Sequence, residues 1–171
     1  MAVVEVLQLG NPTLRQKSTA VDYPASEEMR HLRHDLEDTL RFLRESTGYA
    51  NGIAAPQVGL LKRVVFTNLD RPLLLINPEV LEMSDEKTIV YDWCLSYLTI
   101  FFKVQRSRRI RVSYQEQDGT KNVIEAEGDL SALLQHEIDH LDGVLAIDRV
   151  TDVGSICTRQ EYERRYKNTG L

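Results

Sequence analysis

DLSALLQHEIDHLDG, residues 129 to 143, repeats its apolar side chains at helical spacing and sets the frame for the rest of the chain. Leu130, Leu133, Leu134, Ile138 and Leu141 fall on one side, and Gly143 supplies a C-terminal stop. On such a helix His136 and His140 are four positions apart and share a face, while Glu137 sits one step around. Two imidazoles so placed address one ion, and a neighbouring carboxylate is placed to move protons. A Glu between two His on one helix also arises by chance, and two imidazoles alone leave a metal site incomplete.

The stretch before this helix has a different texture. Residues 63 to 69, 73 to 83, 88 to 93, 109 to 114 and 121 to 128 are short β-rich runs with turn signals between them, and Asp118-Gly119 marks a hairpin between the last two. Upstream, Met29, Leu32, Leu36, Leu40 and Leu43 recur at helical spacing, with Ser26 as N-cap, acids in the first turn and Gly48 as stop, which predicts a helix over 27 to 47. His31 and His34 belong to that helix among arginines and acids, and read as solvated surface residues. Helix, strands, then helix argues for an α+β domain with antiparallel or mixed sheets rather than a doubly wound parallel one, spanning residues 1–171 as a single unit. The tail TRQEYERRYKNTGL reads as a short surface helix or a frayed end.

Bulk properties narrow the function classes. With 171 residues, 42% hydrophobic and 27% charged, five prolines and nine glycines, the chain has the balance of a folded domain rather than a disordered one. Its formal net charge of -5 repels polyanions, so no specific nucleic-acid partner is expected. The local exception, KVQRSRRIR at 103 to 111, alternates Arg109 and Arg111 with Ile110 and Val112, as in a strand that turns its arginines to water. Cys94 and Cys157 match no CxxC pattern and no disulfide framework. The N-terminal run lacks a basic region and is interrupted by Glu5, so no signal peptide, no membrane partner and a cytoplasmic location are expected.

The missing ligand decides the chemistry. Metzincin proteases continue as HExxHxxGxxH; here Gly143 is in place, but Ala146 stands where the third histidine belongs. Cys94, in YDWCLSYL, is the natural candidate, since a thiolate with two imidazoles makes a tetrahedral site with a fourth position for water. The other reading of Cys94 is an inert buried thiol, and the residues alone favour it. Two further stretches reverse that balance. GIAAPQVG at 52 to 59 precedes CLS, and QHEIDHL follows it, in the order and approximate spacing of the peptide deformylase family, which this sequence resembles from LGNPTLRQKSTAV through LLQHEIDHLDGVLAIDR.

Carried over residue by residue, the resemblance implies that Cys94, His136 and His140 bind the metal and that Glu137 handles protons. It implies Gln57 and the backbone N–H of Leu95 as donors to an oxyanion. Asn51, Gly52, Ile53, Asp92 and Trp93 are implied along the substrate. The fold implied is peptide-deformylase-like, with the HExxH helix central and flanked by sheets. The activity implied is a metal-dependent hydrolase that removes the N-formyl group from N-terminal formylmethionine of newly made polypeptides and releases formate. The cofactor implied is Fe(II), with zinc, nickel or cobalt as substitutes. A nascent chain is the implied partner, and the cations Arg164, Arg165 and Lys167 of the tail are the features offered for a ribosome contact.

The chain departs from the family pattern around the substrate. Ala50 and Asn51 replace a Gly and an apolar residue in the first motif; Asp92 and Trp93 replace Glu and Gly before the cysteine; Tyr97 and Leu98 follow it, and a family arginine would fall at Phe101. Trp93 restricts the backbone and brings a large ring to the cleft. Two alternatives follow: hydrolysis of a shorter or non-peptide N-formyl or N-acyl amine, or a metal-binding homologue without turnover. Retention of Glu137 and Gln57 speaks against the last, since a structural metal site needs neither.

Overall fold

The computed structural model describes residues 3–166. Helix α1, Glu27–Thr47, has the predicted ends: the Ser26 side chain accepts from Met29 N, and Gly48 closes the helix in the left-handed conformation. Its buried stripe of Met29, Leu32, Leu36 and Leu40 packs on the first sheet, while His31 and His34 remain at the surface.

That sheet holds five antiparallel strands in the order β1 (Gly52–Ala54), β2 (Val64–Asn68), β3 (Pro72–Met83), β6 (Arg109–Gln115) and β7 (Lys121–Glu127). A second, three-stranded sheet is ordered β4 (Lys87–Cys94), β5 (Tyr97–Ser107) and β8 (Cys157–Thr158). Both ladders are antiparallel. Helix α2, Asp129–Leu141, contacts β1 and β7 of the first sheet and β5 of the second, and α3, Arg159–Arg165, follows β8. The fold is α+β, with the HExxH helix central as expected.

Strand alternation builds the two layers around β1 and β2. Ile53, Val64 and Phe66 go to the α1 core, whereas Ala54 and Val65 go to a core shared with Leu134, Ile138 and Leu141 of α2. Because helices cover both faces, these strands read as continuous apolar runs rather than as alternation. Asp118 and Gly119 form the predicted hairpin, with Gly119 at φ 88 and the Asp118 side chain accepting from Thr120 N. Gly143 takes φ 72 just past the helix, and a Cβ there would lie 2.5 Å from Arg15 O, so only glycine fits the close approach.

Strands β1, β5 and β8 were not anticipated. In β5, Phe101 and Phe102 are both buried, because Phe102 packs with Cys94, Val104 and Ala146 on one face while Phe101 stacks on Trp93 and Tyr162 on the other, so periodicity is lost. The surface reading of residues 103 to 111 holds for Arg109, but Arg106 is a correction: it lies on the inward side with Phe102 and Val104 and is 3% exposed. Among the described residues no helix is long and apolar enough to cross a membrane.

Candidate metal centre

Helix α2 is buried on every side from Leu134 to Leu141, so its polar residues face other protein rather than water. The i, i+4 spacing brings the His136 and His140 rings to 5.1 Å between centroids. Strand β4 ends opposite them, where an irregularity between Asp92 and Cys94 re-aims the chain. Ligand atoms of Cys94, His136 and His140 all lie within 4.8 Å of one another, and Cys94 Sγ is 3.2 Å from His140 Nε2. One thiolate and two imidazoles at this spacing fit a single tetrahedral ion with one position left open.

The ring of His136 is oriented from behind. Its Nδ1 is 2.8 Å from Asp92 Oδ1, which leaves Nε2 as the nitrogen for an ion. Burial pushes the Asp92 carboxyl up, but His136 and Arg106 on its oxygens outweigh this and hold it at about 2. Asp92, expected along the substrate, thus supports His136 with Oδ1 and takes Arg106 at 3.0 Å with Oδ2. Arg106 also donates to Asp139 at 2.6 Å, and Asp139 receives Arg149 through Nε and Nη2 at 2.6 Å each. The charged chain Arg149, Asp139, Arg106, Asp92, His136 is a feature that the sequence reading missed. Its one signal is Arg106 at the inward positions of β5, two and four residues after Val104 and Phe102.

Gln57 sits on a short 3-10 turn, Ala55–Val58, entered through Pro56. Ala54 N donates to its Oε1 at 2.8 Å, which turns the amide nitrogen toward Cys94 Sγ at 3.4 Å and Ser96 Oγ at 3.3 Å. Leu95 lies in the two-residue link between the paired Cys94 and Tyr97 and lines the same cavity. Burial raises the Glu137 carboxyl to about 7, and its Oε2 is buried without a protein partner. Burial and the neighbouring His136 lower His140, favouring the neutral ring that a ligand must present. Gly52 is the reason the Glu137 carboxylate fits: a Cβ there would stand 2.4 Å from Oε1 and 2.9 Å from Cγ and Cδ.

A cavity of about 180 Å³ joins these groups, walled by Asn51, Gly52, Gln57, Asp92, Trp93, Cys94, Leu95, His136 and Glu137. Ile53 is not brought to it. Alternation along β1 sends its side chain, 0% exposed, into the α1 core. Converging sulfur and imidazole donors, a buried carboxyl that titrates near neutrality and an amide donor beside them define the class of metal-dependent hydrolases.

The polypeptide deformylase family model matches residues 3–155. The peptide deformylase of Dictyoglomus thermophilum is 37% identical over 149 residues, covering 86% of this chain and 93% of that protein. That of Rhizobium meliloti is 33% identical over 176 residues, covering 99% and 98%. The crystal structure of peptide deformylase from Thermotoga maritima superposes with a TM-score of 0.83 at 33% identity, over 89% of this chain and all of that one. The chain belongs to the polypeptide deformylase family.

Proposed function

We propose that residues 1–171 act as one peptide deformylase domain that removes the N-formyl group from N-terminal formylmethionine of newly made polypeptides and releases formate. The convergence of Cys94, His136 and His140 within 4.8 Å beside Glu137 is the observation that carries this reading. In it, those three residues hold the ion through one sulfur and two ring nitrogens, with Asp92 fixing the His136 ring. When bound, a divalent ion in such a site lowers the pKa of water from 15.7 to about 7 and polarises a carbonyl.

The chain's own groups supply the remaining steps. Glu137 takes a proton from the attacking water as its oxygen bonds to the formyl carbon, and later delivers that proton to the departing amine nitrogen as the C–N bond breaks. Burial, which raises the Glu137 carboxyl, favours its holding the proton that it later delivers. The Gln57 amide, held by Ala54 N, and the Leu95 N–H donate to the formyl oxygen as it gains charge; one such donor is typically worth about 3 kcal/mol. Products are formate and a free α-amine.

The same reading takes Fe(II) from the family resemblance, and the thiolate and imidazole donors accept zinc, nickel or cobalt as substitutes. It places the enzyme in the cytoplasm with nascent chains as substrates. Support for a ribosome contact from the tail is slight: Arg164 and Arg165 both donate to Glu161, at 2.8 and 2.9 Å, and Lys167 lies outside the described residues.

The test is formate release from formyl-Met-Ala-Ser, formyl-Met and small formylated amines by protein loaded anaerobically with iron or nickel. Turnover of the peptide that is lost in Glu137→Ala is the expected result. A fully metallated protein that releases no formate from any of these substrates would overturn it.

A further inference from the structure

We propose that Trp93 is a specificity-determining wall of the cavity and that helix α3 holds it in place through Tyr162, so that the C-terminal helix sets which peptide residues downstream of the formylated one are accepted. This rests on the deformylase reading for its substrate, though not for its geometry.

Residues Tyr91 and Trp93, two apart on β4, both line the cavity that contains Cys94 and Glu137. Both are backed by α3. The Trp93 ring stacks on Phe101 with centroids 5.8 Å apart and planes 15° apart, and Phe101 stacks on Tyr162 at 4.5 Å and 15°. Tyr91 tilts directly against Tyr162 at 5.0 Å. Tyr49 clamps the stack from the side, edge-on to Trp93 at 5.4 Å and to Phe101 at 5.9 Å. Offset-stacked and edge-on pairs at these separations are the favoured aromatic geometries, so the indole is held directly by two rings, Phe101 and Tyr49, and Tyr162 acts on it through Phe101.

Helix α3 is itself secured next to this stack. The Arg159 guanidinium donates to Thr47 O at the end of α1 and lies 4.8 Å over the Tyr49 ring, and Tyr49 OH donates to Glu163 at 3.2 Å. Strand β8 leads into the helix by pairing Cys157 with Phe101. A seven-residue helix does not hold its shape alone in water, so its order depends on these contacts, and the order of the cavity wall depends on it in turn. The residues lining the cavity include Asp92, Asp129 and Glu137, but Asp92 is paired with Arg106 and Lys103 lies 5.3 Å over the Tyr91 ring, so the wall is marked by its aromatic rings rather than by net charge. An aromatic rim fits apolar or aromatic substrate side chains better than charged ones, which lose hydration against it. Tyr162 touches no reacting atom and is a positioning residue.

Trp93 is the sole tryptophan of the chain, so its fluorescence reports this wall directly. Three proteins suffice: wild type, Tyr162→Ala and Tyr162→Phe, each loaded with nickel and compared on formyl-Met-Ala, formyl-Met-Ala-Phe and formyl-Met-Ala-Asp. In Tyr162→Ala the emission shifts to the red, and KM for formyl-Met-Ala-Phe rises at least threefold while kcat and the formyl-Met-Ala values stay within twofold. The preference for Phe over Asp shrinks by the same factor, and Tyr162→Phe restores both readouts. An unchanged emission, or an equal change in KM for all three peptides, overturns the proposal. Absence of turnover on every peptide overturns the deformylase reading alone, because the emission reads the wall without catalysis.

Discussion

Gly52 shows how one missing side chain positions a catalytic group. Its backbone lies against Glu137 so closely that a methyl would meet Oε1 at 2.4 Å and the stem carbons at 2.9 Å. Relief requires the carboxylate to move by a substantial fraction of an ångström, and a misplacement of about 1 Å costs on the order of 100-fold in rate. Gly52→Ala is therefore expected to lower kcat for formyl-Met-Ala-Ser by one to two orders of magnitude. The overpacking also costs about 1–3 kcal/mol, read from the urea midpoint. A variant with wild-type kcat would show that the close approach does not matter. Ala50, two residues earlier, takes φ 73 where the family motif has glycine. That strain is about 1–2 kcal/mol for an L-residue. The Ala50 methyl is buried in the α1 core, and a buried carbon of that size contributes about 0.8 kcal/mol. Packing thus offsets roughly half of the strain, and the departure from the motif is tolerable.

Strand β5 and helix α2 are joined by a buried ion network that orients the site from behind. Arg106 bridges Asp92 and Asp139, and removing it takes the partner from Asp92 Oδ2, while Oδ1 keeps His136 and the Trp93 N–H and Asp139 keeps Arg149. Breaking a buried pair by deleting one member costs about 3–5 kcal/mol. Because Asp139 keeps a bidentate arginine, the lower end applies, and Arg106→Met is expected to lose about 3 kcal/mol by chemical denaturation. Loss below about 0.5 kcal/mol, the usual range for surface substitutions, would make the network ornamental. This same network marks the boundary of what the sequence disclosed. The i, i+4 histidines, Glu137, and both ends of α1 follow from local period and capping, and all were legible. Cys94 by itself fits an inert buried thiol as well as a ligand, and only the flanking motifs taken together distinguish the two. The role of Asp92 and the burial of Arg106 depend on which elements meet in space, and the pairing of Phe101 with α3 erased the alternation that would have revealed β5. Ile53 comes along with its motif from the family resemblance, and only the packing of β1 against α1 shows its side chain turned into the core.

In the proposed site, an ion ties the end of β4 to the middle of α2, joining the second sheet to the helix that packs on the first. Binding that favours the folded chain stabilises it by mass action, about 2.7 kcal/mol at a free-ion concentration 100 times Kd. For a chain of this size each kcal/mol moves Tm by roughly 2–4 °C, so stripping the ion is expected to lower Tm by roughly 5–10 °C. The control is His140→Ala, which removes one anchor and should make Tm insensitive to chelator. Cys94→Ala cuts the other element and should do the same, although Cys94 sits on a strand of the second sheet and His140 on helix α2. A wild-type melt that ignores chelator, or a chelator-dependent drop that survives both substitutions, would mean the ion sits elsewhere. The bond between β4 and α2 would then have to come from Asp92–His136 and Cys94–His140 contacts alone.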